Sequence, residues 1–139
     1  MSVVLSPGVL SAIRAHGERD YPDEACGVLL GRGCLVAEAL ALPNAKEEER
    51  RRRFVIRPGD YIAADREARR RSLEILGFYH SHPDHPAKPS ELDRENAWPN
   101  MHYIVVAVAR GAAGEATSWM LTEDRARFDP EELTADAGE

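Results

Sequence analysis

The segment HYIVVAVA (102–109) most constrains the fold, because it is the most apolar and β-branched part of the chain. Such a composition is typical of a strand that is buried on both faces. We therefore predict that it forms a central strand. The patterns around it are ordered as helix, two strands, strand, helix, strand, short helix and two strands. This order predicts an α/β fold with a mixed β-sheet flanked by helices.

Length and charge limit the class of protein. The 139 residues fit one domain, since domains usually contain about 100–150 residues. The longest apolar run, 104–109, is far shorter than the ~20 residues needed to span a bilayer. The net charge of −6 argues against a nucleic-acid partner, because such binding depends on clustered Lys and Arg. The two cysteines are expected to be reduced thiols, so we expect a cytoplasmic protein.

Local patterns predict the individual elements. Ser6-Pro7 and the helical spacing of the apolar residues after them predict a first helix over about 7–19. A short strand over 53–57 is expected to precede a helix that begins at Pro58 and is stopped by Gly77. The other strands are expected at EACGVLLG, CLVAEALAL, LGFYHSH and TSWMLTED, with a short helix at SELDRENAW.

The acidic residues are concentrated at the C-terminal end. Residues 123–139 contain seven acids and two bases, which accounts for −5 of the net charge of −6. We therefore expect a single domain over 1–130, followed by an acidic and partly disordered tail over 131–139.

Three of the five histidines lie within six residues, in the string HSHPDHPAKPSELD. His80 and His82 are two apart on a predicted strand, so both side chains project from one face. The stiff loop after Pro83 brings the next helix close to this pair, and Asp93 lies in the first turn of that helix. Two imidazoles and one carboxylate, with a fourth position open for water, are the arrangement of a catalytic zinc site.

Several of these residues also have simpler explanations. Ser90 and Asp93 have the spacing of a capping box at a helix N-terminus. His85 is an alternative ligand to Asp93, although its place in a proline-rich loop favours a loop residue. Ser81 points to the opposite face of the strand from the two ligands. Cys26 is better explained as a small buried residue than as a group near the metal.

The string His-Ser-His-Pro, six residues, Ser, two residues, Asp resembles the signature of the JAMM, or MPN+, zinc metallopeptidases. It is matched without a gap from His80 to Asp93. The family also has an upstream glutamate, which corresponds here to Glu24 in PDEACGVLLG. The order of elements over about 3–130 resembles the minimal prokaryotic form of the family. The resemblance implies the family fold, a cytidine-deaminase-like α-β-α sandwich.

The resemblance also implies a role for each matched residue. His80, His82 and Asp93 would bind one Zn²⁺, with water as the fourth ligand. Glu24 would be the general base that takes a proton from this water and passes it to the leaving amine. Ser90 would stabilise the oxyanion.

The implied activity is that of a deubiquitinase-like isopeptidase that hydrolyses the bond after the C-terminal Gly-Gly of a ubiquitin-like protein. In a bacterium the expected partner is a small sulfur-carrier protein of the ubiquitin fold, joined to a lysine, a cysteine or a C-terminal extension. Its tail is expected to bind in extended form as an added strand.

Other functions are less consistent with the sequence. The main alternative is a non-catalytic MPN scaffold that binds ubiquitin-like proteins, and the complete ligand string argues against it. A nucleobase deaminase would need His-x-Glu and Pro-Cys-x-x-Cys, which the chain lacks. The sequence leaves open whether the protein forms a homodimer.

Overall fold

The structure is a computed structural model that describes residues 2–45 and 56–135. Within these ranges the elements follow in the order β1 (Ser2–Leu5), α1 (Val9–Asp20), β2 (Cys26–Arg32), β3 (Leu35–Leu42), α2 (Pro58–Arg70), β4 (Glu74–Pro83), α3 (Glu91–Glu95), β5 (His102–Ala109), β6 (Ala112–Leu121) and β7 (Phe128–Ala135). In this part of the chain, no helix is long and apolar enough to cross a bilayer.

The strands form one mixed sheet in the order β1-β3-β2-β4-β5-β6-β7. β1 pairs in parallel with both β3 and β7, so the two ends of the sheet meet and close it into a barrel. β4 lies in the middle of this order, antiparallel to β2 and parallel to β5. The predicted α/β class and the central place of the apolar strand, β5, are confirmed.

Helices α1 and α2 pack on opposite faces of β2. Ile13 of α1 belongs to a buried cluster with Leu29, whereas Ala64 of α2 belongs to a second cluster with the neighbouring Val28. Successive strand residues point to opposite faces, so β2 contributes to both clusters. Burial of a Val or Leu side chain contributes roughly 1.5–3 kcal/mol, and both faces of β2 therefore stabilise the fold.

Glycines allow the strands around β4 to approach closely. A Cβ atom at Gly77 would lie 1.9 Å from the backbone oxygen of His102 on β5. A Cβ atom at Gly27 of β2 would lie 2.3 Å from the Tyr79 ring. A side chain at either position would push neighbouring parts of the sheet apart.

The helix expected from Pro58 to Gly77 is shorter than predicted. α2 ends at Arg70, and Ser72 then adopts a left-handed φ of 59° that turns the chain. Residues from Glu74 onward pair with β2, so sheet pairing replaces the helix there. The strand expected over 53–57 falls mostly on residues outside the described ranges, and Ile56 and Arg57 precede α2 without strand structure.

The sequence analysis missed β1 and β7. Residues 131–135, expected to begin a polar tail, instead belong to β7, so the boundary expected at 130 is wrong. The prediction of a solvated tail was based on the acidic residues, but one of them is buried. The Glu131 carboxylate is 1% exposed and accepts hydrogen bonds from His102 and Ser118. Residues 136–139 lie outside the described part of the chain.

We expect Gly77→Ala to lower the free energy of unfolding by roughly 3 kcal/mol or more, because a Cβ there meets the His102 carbonyl. Gly59→Ala is the matched control, since nothing lies within 4 Å of a Cβ at this position in α2. It should change stability by no more than about 1 kcal/mol. Urea unfolding of both variants measures the difference, and equal stabilities would contradict the packing described for β4 and β5.

Candidate active site

β4 carries the two histidines of the sequence motif near its C-terminal end. His80 and His82 are 1% and 6% exposed, and Ser81 between them is buried on the other face. The register pairs His80 with Cys26 of β2, which brings the chain just before β2 next to the histidines. The strand alternation expected from the sequence thus places both imidazoles together in the interior.

A candidate ligand group is formed when α3 brings Asp93 against this pair. The Nε2 atoms of His80 and His82 lie 3.1 Å apart, and each lies 3.1 Å from Asp93 Oδ2. Tetrahedral zinc has bonds of about 2.0–2.1 Å to such atoms, so its ligand atoms lie roughly 3.3 Å apart. The three donors therefore fit zinc in both type and spacing. Among the His, Cys, Asp and Glu side chains of the described residues, these three form the group that could hold a metal ion.

A backbone contact sets the tautomer of His82. Its Nδ1 lies 2.9 Å from the carbonyl oxygen of Pro86, in the loop that follows β4. A carbonyl oxygen only accepts, so Nδ1 carries the hydrogen, and in the neutral form of the ring, which a metal ligand requires, the Nε2 lone pair points to Asp93 and His80. Such a contact orients an imidazole for metal binding and raises its basicity.

Asp93 is also part of the N-terminal cap of α3. Its Oδ2 accepts a hydrogen bond of 2.8 Å from the backbone N–H of Ser90, and its own N–H donates to Ser90 Oγ at 3.0 Å. The capping box that the sequence offered as an alternative is therefore present together with the ligand group. Burial alone would raise the pKa of Asp93, but the facing His80 and hydrogen bonds from His80, His82 and Ser90 hold this pKa well below its usual range.

Glu24 is a buried carboxyl group immediately before β2. Its side chain is almost fully enclosed, and Oε1 has no hydrogen-bond partner among the described residues. Burial, followed by the nearby charge of Asp93, raises the pKa of Glu24 to about 9. A strongly perturbed carboxyl group beside a ligand set is typical of a catalytic acid or base.

Two alternatives from the sequence do not join the ligand group. His85 is exposed and lines an open cavity with Tyr21 and Arg110. Cys26 is buried, and its Sγ lies 3.7 Å from the carbonyl oxygen of Leu42. Burial raises the pKa of the Cys26 thiol to about 12, so the reactive thiolate is strongly disfavoured.

One residue near the site was missed by the sequence analysis. Asn44 follows β3, and its Nδ2 donates a hydrogen bond of 3.1 Å to the backbone oxygen of Glu24. Its position in Leu-Pro-Asn-Ala reads as a turn, and no local pattern links it to a residue 20 positions earlier.

The family model for prokaryotic homologues of the JAB domain matches residues 6–122 of the chain. The chain belongs to this family. The family membership inferred from the string that ends at Asp93 is confirmed.

The relatives of this JAB-domain protein include named peptidases. It is 27% identical over 129 residues to the CysO-cysteine peptidase of Mycobacterium tuberculosis, covering 92% of this chain and 88% of that one. It is 32% identical over 99 residues to a desampylase of Haloferax volcanii, covering 70% and 71% of the two chains. The fold matches that of a JAB1/MPN domain protein from Archaeoglobus fulgidus with a TM-score of 0.60, at 18% identity and over 95% of this chain and 99% of that one.

We expect Glu24→Gln to raise the thermal midpoint of the metal-free protein at pH 8 by at least about 3 °C. Between the ordinary pKa of 4.5 and the folded value of about 9, the folded state retains a proton that the unfolded state releases. The stability of the native sequence therefore falls as pH rises through this window, and the glutamine removes that loss.

Calorimetry with a chelator present, between pH 5 and 9, measures this effect. The gain from Glu24→Gln should be smallest near pH 5 and grow with pH. The exposed Glu115, changed to Gln, is the control and should show no such growth. A gain that does not depend on pH would contradict the burial of an ionisable Glu24.

Proposed function

We propose that the protein is a zinc-dependent peptidase that cleaves the bond after the C-terminal Gly-Gly of a ubiquitin-like protein. The convergence of His80, His82 and Asp93 within 3.1 Å of one another carries this proposal. The family supports it, because relatives of the chain are named as a CysO-cysteine peptidase, a desampylase and a probable TtuB-protein conjugate cleaving protease.

Each residue of the site has a task in this reaction. His80, His82 and Asp93 would hold the zinc ion, which when bound would supply a Lewis acid for the scissile carbonyl group. Glu24 takes one proton from the attacking water as the water oxygen bonds to the carbonyl carbon, and passes that proton to the nitrogen as the C–N bond breaks. A cation held by the three ligands would oppose the effect of the Asp93 charge and so lower the pKa of Glu24.

Ser90 is the proposed oxyanion donor. Its Oγ accepts the N–H of Asp93, so the hydroxyl hydrogen remains able to donate to a substrate oxygen. The cap and the catalytic contact are compatible, since they use the acceptor and the donor of the same hydroxyl group. Donors of this kind contribute about 10²–10³ in rate.

The substrate tail is proposed to bind as an added strand on β3. Among the described strands, β1 pairs only with Leu35 and Val36 of β3, which leaves the outer edge beyond them unpaired. This edge leads to Leu42, which is in register with Cys26, two residues after Glu24. An extended peptide can add to such an edge by backbone hydrogen bonds, and a tail without side chains, such as Gly-Gly, fits a narrow approach to the site.

We expect the purified protein to contain about one zinc per chain and Glu24→Gln to retain it. The variant should cleave about 10²–10⁴-fold more slowly, because proton transfer by a positioned base contributes this much. The substrate for the assay is a small protein of the ubiquitin fold that ends in Gly-Gly, joined to a lysine, to cysteine or to a C-terminal extension. Zinc is measured by atomic emission and cleavage by mass spectrometry.

His85→Ala is the control for this experiment and should keep both zinc and cleavage, since His85 is exposed and outside the ligand group. Full activity in a metal-free protein would contradict the proposal. If His80→Ala and Glu24→Gln both left the biological function intact, the scaffold alternative would be correct.

We expect Ser90→Ala to lower kcat by about 10²–10³ while the zinc content stays near one per chain. Loss of the N-cap should also cost about 1 kcal/mol of stability, which urea unfolding measures separately. The matched variant Ser90→Thr keeps the hydroxyl and should keep most of the activity. A full kcat in Ser90→Ala would show that the residue serves only as a cap.

A further inference from the structure

The backbone of Glu24 contributes to the placement of its carboxylate, one oxygen of which makes no hydrogen bond of its own among the described residues. Glu24 and Ala25 precede β2 and are outside its regular hydrogen-bonded register. Oε1 of Glu24 has no hydrogen-bond partner among the described residues. The contacts that fix the Glu24–Ala25 backbone therefore help to set the position of the carboxylate.

Ser81 holds this segment from β4. Its Oγ accepts a hydrogen bond of 2.8 Å from the N–H of Ala25, and its own N–H donates to the Ala25 oxygen at 3.0 Å. Ser81 and Ala25 are each 1% exposed, so water does not compete with these bonds. The side chain thus prolongs the β2–β4 pairing by one residue beyond Cys26, up to the residue next to Glu24.

Asn44, which follows β3, holds the same segment. Its Nδ2 donates a hydrogen bond of 3.1 Å to the backbone oxygen of Glu24. This oxygen and the Ala25 oxygen bound by Ser81 lie on opposite sides of the chain. Polar side chains from β4 and from the segment after β3 therefore restrain Glu24 and Ala25.

We propose that Ser81 and Asn44 are positioning residues for Glu24, which rests on the proposed role of Glu24 as the base. β4 then serves the reaction with both faces: His80 and His82 on one face hold the metal, and Ser81 on the other fixes the group that moves the proton. A misplacement of about 1 Å in such a constellation can cost about 10²-fold in rate.

A packing role for Ser81 is the competing explanation. Ser81 also faces α1, where a Cβ at Gly17 would lie 3.3 Å from the Ser81 Cβ. Ser81→Ala removes the acceptor, whereas Ser81→Cys retains the approximate size but offers only a weak acceptor. If packing alone mattered, the cysteine variant would behave as the native protein. If the hydrogen bond matters, both variants lose activity.

A double-mutant cycle with Glu24 tests the proposal on the Gly-Gly conjugates described above. In the native background, we expect Ser81→Ala to lower kcat at least about 10-fold with less than a twofold change in KM, at unchanged zinc per chain. In the Glu24→Gln background, where no base remains to be positioned, the same change should lower the residual rate less than about twofold. Equal losses in both backgrounds would overturn the proposal.

The same double-mutant cycle can be carried out with Asn44→Leu, since Asn44 is half-buried and lies outside the strands. This second cycle tests the positioning role if Ser81→Ala does not fold. We expect Asn44→Leu to lower kcat about 5-fold or more in the native background and less than about twofold in the Glu24→Gln background. If Glu24→Gln itself left kcat unchanged at full zinc content, the proposed function would fail. Loss of cleavage in Glu24→Gln with additive effects of Ser81 and Asn44 would refute only the positioning.

Discussion

The Asp93 carboxylate joins the local structure of α3 to the ligand group. A single oxygen, Oδ2, lies 3.1 Å from His80 Nε2, 3.1 Å from His82 Nε2 and 2.8 Å from the Ser90 nitrogen. Glu or Gln is the usual third residue of a helix that begins with a capping box. The shorter Asp fits its contact with both imidazoles, because a longer side chain would move this oxygen away from the point where they meet.

The alternation of β4 determines how the site is divided. Even-numbered residues near its end, His80 and His82, meet Asp93, whereas the odd-numbered Ser81 contacts Ala25 and faces α1. The parallel pairing with β5 and the antiparallel pairing with β2 hold the strand on both sides. A shift of one residue in either register would reverse the two faces and separate the ligands.

The sequence predicted the parts of the site that depend on residues close together in the chain. The spacing of His80 and His82 follows from strand geometry, and Asp93 follows from a short stiff loop. Glu24 could be selected only by resemblance, because it reaches the site through pairing between β2 and β4, 56 positions apart in the contact of Ala25 with Ser81. Local sequence patterns do not indicate which distant strands will pair.

The same limit explains the errors in the fold. β1 and β7 pair the two ends of the chain, and β7 includes the buried acid Glu131, which in a sequence resembles a solvated residue. The end of α2 depends on a left-handed Ser72, where glycine or asparagine would have been the recognisable signal.

X-ray absorption at the zinc edge tests the proposed ligand group most directly. For the zinc-loaded protein the account predicts a first shell of nitrogen and oxygen at about 2.0–2.1 Å, with the scattering of two imidazole rings and no sulfur. In His82→Ala one imidazole should disappear from this shell. A sulfur shell at about 2.3 Å, as expected if Cys26 bound the metal, or an unchanged spectrum in His82→Ala, would contradict it.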